Sequence, residues 1–464
     1  MRFLGIDAGA SYIKGAVLNL DEMRLETVRR TPFPGFITGQ SPANREVDPA
    51  EIIARTREML SSLLAFASDC SGIVFSGQMH GLIMVDSAGK ALSNFISWQD
   101  ERGLTSHPSG RGTYFQLVTS KIPEPQRQFL GNELRPNLPL VTLFWLSENK
   151  QFPLQAALPS SLMDFIVANL SNCRPVTDTT NGAATGALNV ASGCWDDELI
   201  ARLQLDGLRW PAIQDFKTVA GCMRVNGKEI PCYVPVGDQQ AALVGAGLQP
   251  EELSVNIATG SQVSCLAPAF ASGDHQTRPF FDGTFLKTIT HIPAGRALNA
   301  LISLLCELDG QRSLDAEKAW GYIDSAMNQV PSTDLKVNLA FFAGSCGNLG
   351  EISNIHEGNL TVGHLFRACF EHMAETYYQC AERMWPSRGW RTLVLSGGLA
   401  RKVPALRDQI YRRFRTPCRM RHSEEDALFG LLILAKVIMQ PRRKVLEVTR
   451  EIVKPDAIVP WQVA

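Results

Sequence analysis

The sequence predicts an α/β chain of two related domains, residues 1–248 and 249–464, and three observations carry that expectation. The chain has 464 residues, more than one hydrophobic core usually organises, and a hydrophobic fraction of 45% is enough to fill two. A glycine hairpin recurs half a chain apart. Phe3 to Ser11 and Ser254 to Gln262 each read as an apolar strand, a glycine turn with small hydroxyl residues, and a second strand. Each half then alternates short β-like runs with helical ones, as layered α/β domains do.

In chain order, Gly72 to Gly77 is a strand ending in a polar turn, and Ala91 to Trp98 is another. Val234 to Asp238 ends a strand at a helix start, where the Asp238 carboxylate can accept from amides of the next turn. Gln239 to Gly247 follows as a helix of small residues, open to close approach by another backbone, and the turn Pro250-Glu251-Glu252 marks the domain boundary. In the second half, Thr392 to Gly398 is a buried strand running into Gly-Gly, with Leu399, Val403, Leu406, Ile410 and Phe414 at helical spacing behind it. Ser423 to Asp426 gives an acidic first turn to a helix from Ala427 to Val437.

Composition narrows the class of function. Lys plus Arg number 45 and Asp plus Glu 46, so a net charge of −1 offers no bulk field to attract nucleic acid or an anionic membrane. The eleven cysteines show neither C-x-x-C nor zinc-ligand spacing, which reads as reduced thiols in a cytoplasmic protein. The longest apolar run, Phe429 to Met439, is too short to span a bilayer.

Four features could carry chemistry. Around Asp7, Gly9, Ser11 and Lys14, a glycine turn exposes amides to phosphate oxygens, Ser11 adds a donor, and Asp7 can hold a hydrated magnesium ion. Thr259, Gly260 and Ser261 form a second such turn, and no Walker or dinucleotide-binding glycine motif is present to compete with this reading. Asp238 is the candidate general base, at an ordinary carboxylate pKa, because a loose phosphoryl-transfer transition state asks for positioning more than base strength. Gln78-Met79-His80-Gly81 and Trp98-Gln99-Asp100-Glu101-Arg102 offer the polar groups and apolar ring face that polyol recognition needs. Each has a plainer alternative: an ordinary hairpin, a helix N-cap, a satisfied turn histidine and a core tryptophan. The basic run Arg401 to Arg421 reads as a solvated helix face rather than a nucleic-acid site.

Taken together and in order, these segments resemble the FGGY family of carbohydrate kinases, in the superfamily of actin, hexokinase and chaperone ATPases. Thr177-Asp178 through Gly186 to Trp195, Gly237 to Ala241, Ser396-Gly397-Gly398 and His364 to Glu371 extend the similarity over nearly the whole chain. The resemblance implies two actin-like (ribonuclease H-like) domains with an interdomain cleft, sugar on the first and ATP mainly on the second. By it Asp238 is the base, and Gln78, Met79, His80, Trp98 and Gln239 line the sugar pocket. Asp7 and Asp238 hold Mg2+. Gly9, Ser11, Lys14, Thr259, Gly260, Ser261 and Gly295 meet phosphates, while Gly397, Gly398 and Lys402 border the adenosine. Gln78-Met79-His80 is similar to ketose kinases, since glycerol kinases carry Arg-Glu in place of Met79-His80. The implied substrate is a seven-carbon ketose first, then xylulose or ribulose. Two departures from the family pattern are Gly344-Ser345-Cys346-Gly347, where many members carry Gly-Glu-Arg, and Pro293 to Arg296, which replaces a more usual Gly-Gly. A non-catalytic nucleotide-binding protein and a peptide-stimulated ATPase are the rival readings. A homodimer is a further expectation, resting on a Val, Leu and Phe patch that suits an interface or a core.

Overall fold

The computed structural model describes residues 1–151, 157–307, 316–421, 425–453 and 458–460, so Ser423 and Glu424 of the acidic turn lie outside the described residues. Two compact units emerge. The first holds a mixed sheet in the order Val219–Val225, Lys228–Tyr233, Ile73–Gly77, Arg2–Ala8, Tyr12–Asn19 and Arg24–Pro32. Arg2–Ala8 is central and nearly all buried, which explains its unbroken apolar run. It pairs antiparallel with its hairpin partner and parallel with Ile73–Gly77. Leu4, Ile6, Phe75, Met163 and Phe165 are among the side chains that fill the core against this sheet.

The second unit repeats the plan. Glu252–Ile257 runs antiparallel to Ser261–Ala267 and parallel to Thr392–Ser396, which in turn runs parallel to Cys418–Arg421. The helix Val362–Met384 buries Phe366, Phe370 and Tyr377 in this core. The recurring glycine hairpin is therefore the start of the central strand pair in both units.

The units do not follow a single cut near residue 248. Pro268–Phe285 and Glu425–Ile452 belong to the first unit, although both lie beyond the expected boundary. The cause is the helix Asp426–Ile438, which is apolar nearly all round and needs a fully enclosed seat. It packs against the helix Asp238–Gly245, where a Cβ on Gly245 would come within 1.8 Å of the Asp426 carbonyl oxygen, and one on Gly430 within 1.9 Å of that of Ala241.

The basic run is a second correction, because it is not simply a solvated face. Arg407 is buried and donates to the carbonyls of Ala400 and Arg401 at 2.7 and 2.9 Å, closing the helix Gly398–Lys402. Arg419 is buried against Glu252 at 2.7 Å, and the Arg413 guanidinium lies 3.5 Å from the centre of the Tyr378 ring. All eleven cysteines are free thiols. Among the described residues no helix is long and apolar enough to cross a membrane.

Candidate active site

Three neighbouring strands of the first unit end side by side. Ala8 stands opposite Gly77, and Gly77 opposite Gly237, so Asp7, Gln78 and Asp238 reach the same edge of the sheet from three distant parts of the sequence. Carboxyl ends of parallel strands are where α/β sheets open to ligands. Asp7 is buried, and its Oδ1 accepts from the Ser76 hydroxyl at 2.8 Å. The turn beyond it closes with the Gly9 amide donating to the Tyr12 carbonyl at 3.0 Å, which leaves Ala10 and Ser11 exposed at the tip. Lys14 faces Asp7 in register, yet its ammonium is paired with Glu425 at 2.6 Å.

Asp238 opens a helix with Gly237 in the cap position, and its Oδ1 accepts from the Gln239 amide at 2.8 Å. The segment before it is tied down from below. Asp178 caps the helix Thr179–Ala183, its Oδ1 accepts from the Thr180 hydroxyl at 2.5 Å, and that hydroxyl accepts from the Gly237 amide at 2.8 Å. Burial raises the Asp238 carboxyl to about 7 and the negative charge of Asp7 adds to the rise, against the Gln239 amide and Arg278. Burial likewise raises Asp7 to about 6, against the Ser76 hydroxyl and Lys14. The expectation of an ordinary pKa at Asp238 is therefore corrected: the strand ends that gather two aspartates also withdraw them from water.

Met79 packs on the same edge, since a Cβ at Gly237 would lie 2.8 Å from its sulfur. His80 follows with φ of 69°, a left-handed conformation that a histidine holds only where its surroundings impose it. Reciprocal bonds between Leu82 and Ile96, at 2.9 and 2.7 Å, bring the Trp98 loop beside this turn. Within that loop the roles divide. Asp100 and Arg102 are buried and bonded to each other at 2.7 Å, which makes them scaffold, while Trp98 stays partly exposed and its carbonyl accepts from Asn137.

Two residues that the sequence reading missed complete this cluster. Glu133 and Arg278 are each 5% exposed, and the Arg278 Nε donates to Glu133 Oε2 at 2.8 Å. Arg278 also donates to the side-chain carbonyl of Gln239, and His80 Nε2 lies 3.3 Å from Glu133 Oε1. Neither residue sits in a motif, so no local pattern marks it.

In the second unit, Thr259 and Gly260 form the exposed tip of the hairpin. Ser261 does not present its side chain there. Its hydroxyl is buried at 2.8 Å from that of Tyr377. Gly295 starts the helix Gly295–Cys306 against this tip, its amide donating to Ala258 at 3.1 Å while Arg296 donates to Thr259 at 2.8 Å. A Cβ at Gly295 would stand 2.8 Å from the Ala258 carbonyl, so the close approach calls for glycine. Gly397 has φ of 90° and packs against the Ile257 carbonyl, and Gly398 follows it at the surface. Lys402 lines a cavity of about 340 Å3 with Trp320, Asp324 and Phe370.

The Asp7 and Asp238 donor set suits magnesium. Among the described residues no cluster of three or more His, Cys, Asp or Glu forms a metal cage. Mg2+ is bound through one or two carboxylates, with water and phosphate oxygens completing its shell.

The N-terminal domain model of the FGGY family of carbohydrate kinases matches residues 2–245. The human protein named sedoheptulokinase is 22% identical, with 93% of this chain and 97% of that protein aligned. A xylulose kinase from Streptomyces coelicolor is 24% identical, over 79% of this chain and 73% of its own length. The crystal structure of xylulose kinase from Rhodospirillum rubrum superposes with a TM-score of 0.84 at 17% identity, covering 100% of this chain and 93% of the other. A paired-strand plan used twice and an aspartate-lined sheet edge, in a chain matched by the family model over its first half, place this protein in the FGGY family of carbohydrate kinases, which use ATP to phosphorylate sugar hydroxyls.

Proposed function

We propose that this kinase phosphorylates a terminal hydroxyl of a ketose, sedoheptulose first, with Asp238 as the general base. The observation that carries the reading is the Asp238 carboxyl, raised to about 7 and held beside the Gln78-Met79-His80 turn at the meeting of three strand ends. A base with that pKa is well matched to neutral pH. It takes the hydroxyl proton as the sugar oxygen attacks the γ-phosphorus. Mg2+ held by Asp7 and Asp238 would supply charge neutralisation for the phosphates.

On the first unit, Gln78, Met79, His80, Trp98 and Gln239 bind and orient the sugar, and the Gly9 to Ser11 turn offers amide and hydroxyl donors to phosphate. On the second, Thr259, Gly260 and the helix N-terminus at Gly295 offer further phosphate donors. The cavity beside Lys402 suits adenosine through its aromatic wall. Lys14 reaches a phosphate only by leaving Glu425, and Ser261 only by leaving Tyr377, so both act second to the backbone. The human relative named sedoheptulokinase supports the seven-carbon ketose, and the Streptomyces coelicolor xylulose kinase supports a pentulose as the second reading. The enzyme is read as cytoplasmic, with small molecules as partners.

The test is ADP release with Mg-ATP across sedoheptulose, xylulose, ribulose, other ketoses and glycerol. One ketose is expected to give much the highest kcat/KM, and Asp238→Asn to lower kcat about 10²- to 10⁴-fold with ADP binding intact. Near-normal turnover by Asp238→Asn would remove the base. ATP binding without turnover on any sugar would favour the non-catalytic reading.

A further inference from the structure

Glu133 and Arg278 form a buried ion pair that reaches the sugar-pocket residues from behind. Their segments are zipped together by backbone. The Thr277 amide donates to the Gly131 carbonyl at 2.9 Å, and Asn132 Nδ2 donates to the His275 carbonyl at 3.2 Å. Gly131 has φ of 73°, and a Cβ there would lie 2.2 Å from the Thr277 carbonyl, so only glycine permits the approach. On the other side, Gln240 Nε2 donates to the Pro279 carbonyl at 3.2 Å.

The pair is fork to fork. Arg278 gives Nε and Nη2 to the two carboxylate oxygens of Glu133, and its Nη1 goes to Gln239 Oε1. Burial opposes ionisation of Glu133, but Arg278, His80 and Arg135 outweigh it and hold the carboxyl well below its ordinary range. Arg135 Nη2 stands 3.4 Å from Glu133 Oε1. Buried ion pairs add little net stability over apolar packing of the same volume, so stability alone is a poor account of this one.

A guanidinium only donates. With Arg278 on its carbonyl oxygen, Gln239 has one amide orientation, in which its nitrogen is the donor end. His80 Nε2 lies near the same carboxylate, 3.3 Å from Glu133 Oε1. Burial lowers the pKa of that imidazole, against the attraction of the Glu133 carboxylate.

We propose that Glu133 and Arg278 are positioning residues for substrate selection, fixing Gln239 as a donor toward a sugar oxygen. This rests on the proposed sugar pocket. It specifies an acceptor oxygen at Gln239, which the carbonyl oxygen of a ketose supplies.

The test is steady-state kinetics of Arg278→Lys, Gln239→Ala and the double variant, on the best sugar of the wild-type panel. Arg278→Lys keeps the charge and loses the fork, so the sugar KM should rise at least tenfold while the ATP KM stays within twofold. In the Gln239→Ala background the same change should raise the sugar KM less than threefold. If Arg278→Lys fails to fold by near-ultraviolet circular dichroism, the neutral pair Glu133→Gln with Arg278→Gln is compared in both backgrounds by the same criterion. A sugar KM within twofold of wild type, or equal losses in both backgrounds, overturns the proposal while wild-type turnover leaves the kinase reading standing. Absence of wild-type turnover on every sugar overturns both.

Discussion

Asp238 binds a proton that an aspartate in water would have shed. Its folded pKa of about 7 lies above the ordinary aspartate value of 3.8, so the protonated form is favoured by folding. That contribution to stability is complete below pH 3.8 and is lost as pH rises through 7. Asp238→Asn should therefore melt above the wild type at pH 8 and alongside it at pH 4. Three pKa units correspond to about 4 kcal/mol, which the partial exposure of this side chain reduces to about 2 kcal/mol. Equal melting differences at the two pH values would show that the raised pKa is absent. In the active enzyme the sign reverses for function: kcat/KM should climb from pH 5 and level off above about 7, as the base form fills. A pH profile flat from 5 to 8 would mean that Asp238 is not the titrating base. The stability cost and the activity have one origin, a carboxylate kept from water.

At the scale of elements, the helix Asp238–Gly245 meets the helix Asp426–Ile438 through close glycine contacts. Gly430 lies so close to Ala241 that a methyl group has nowhere to go but into backbone. Overpacking of this kind costs about 1–3 kcal/mol or more. Gly430→Ala should lower the melting temperature by about 5 °C or more and reduce turnover with it, because the displaced helix begins at Asp238. Unchanged melting would mean that the two helices separate freely. Part of this was legible in the sequence. Small residues after Asp238 announced a close neighbour, as the two glycine hairpins announced two central strand pairs, since turns and faces are written locally. Glu133 and Arg278 were not legible, being 145 positions apart with nothing nearby to mark either as buried. The Arg401 to Arg421 run misled for the same reason: a guanidinium that closes a helix end and one that faces solvent look alike in sequence.

For the whole molecule, the chain order and the packing order differ. A fragment of residues 1–248 lacks the helix Asp426–Ile438, whose Leu428, Leu431, Leu432 and Ile433 are all buried. Such a fragment should bind hydrophobic dyes and show weak near-ultraviolet circular dichroism, as a loosely packed state does. Native-like spectra from it would show the late helix to be dispensable. The same crossing has a consequence during synthesis. At roughly 5–20 residues per second, the stretch between the end of the first segment and Glu425 takes about 10 to 35 s to emerge from the ribosome. Throughout that interval the nascent first unit waits with an apolar seat open, so its safety in the cell depends on how fast the rest of the message is read.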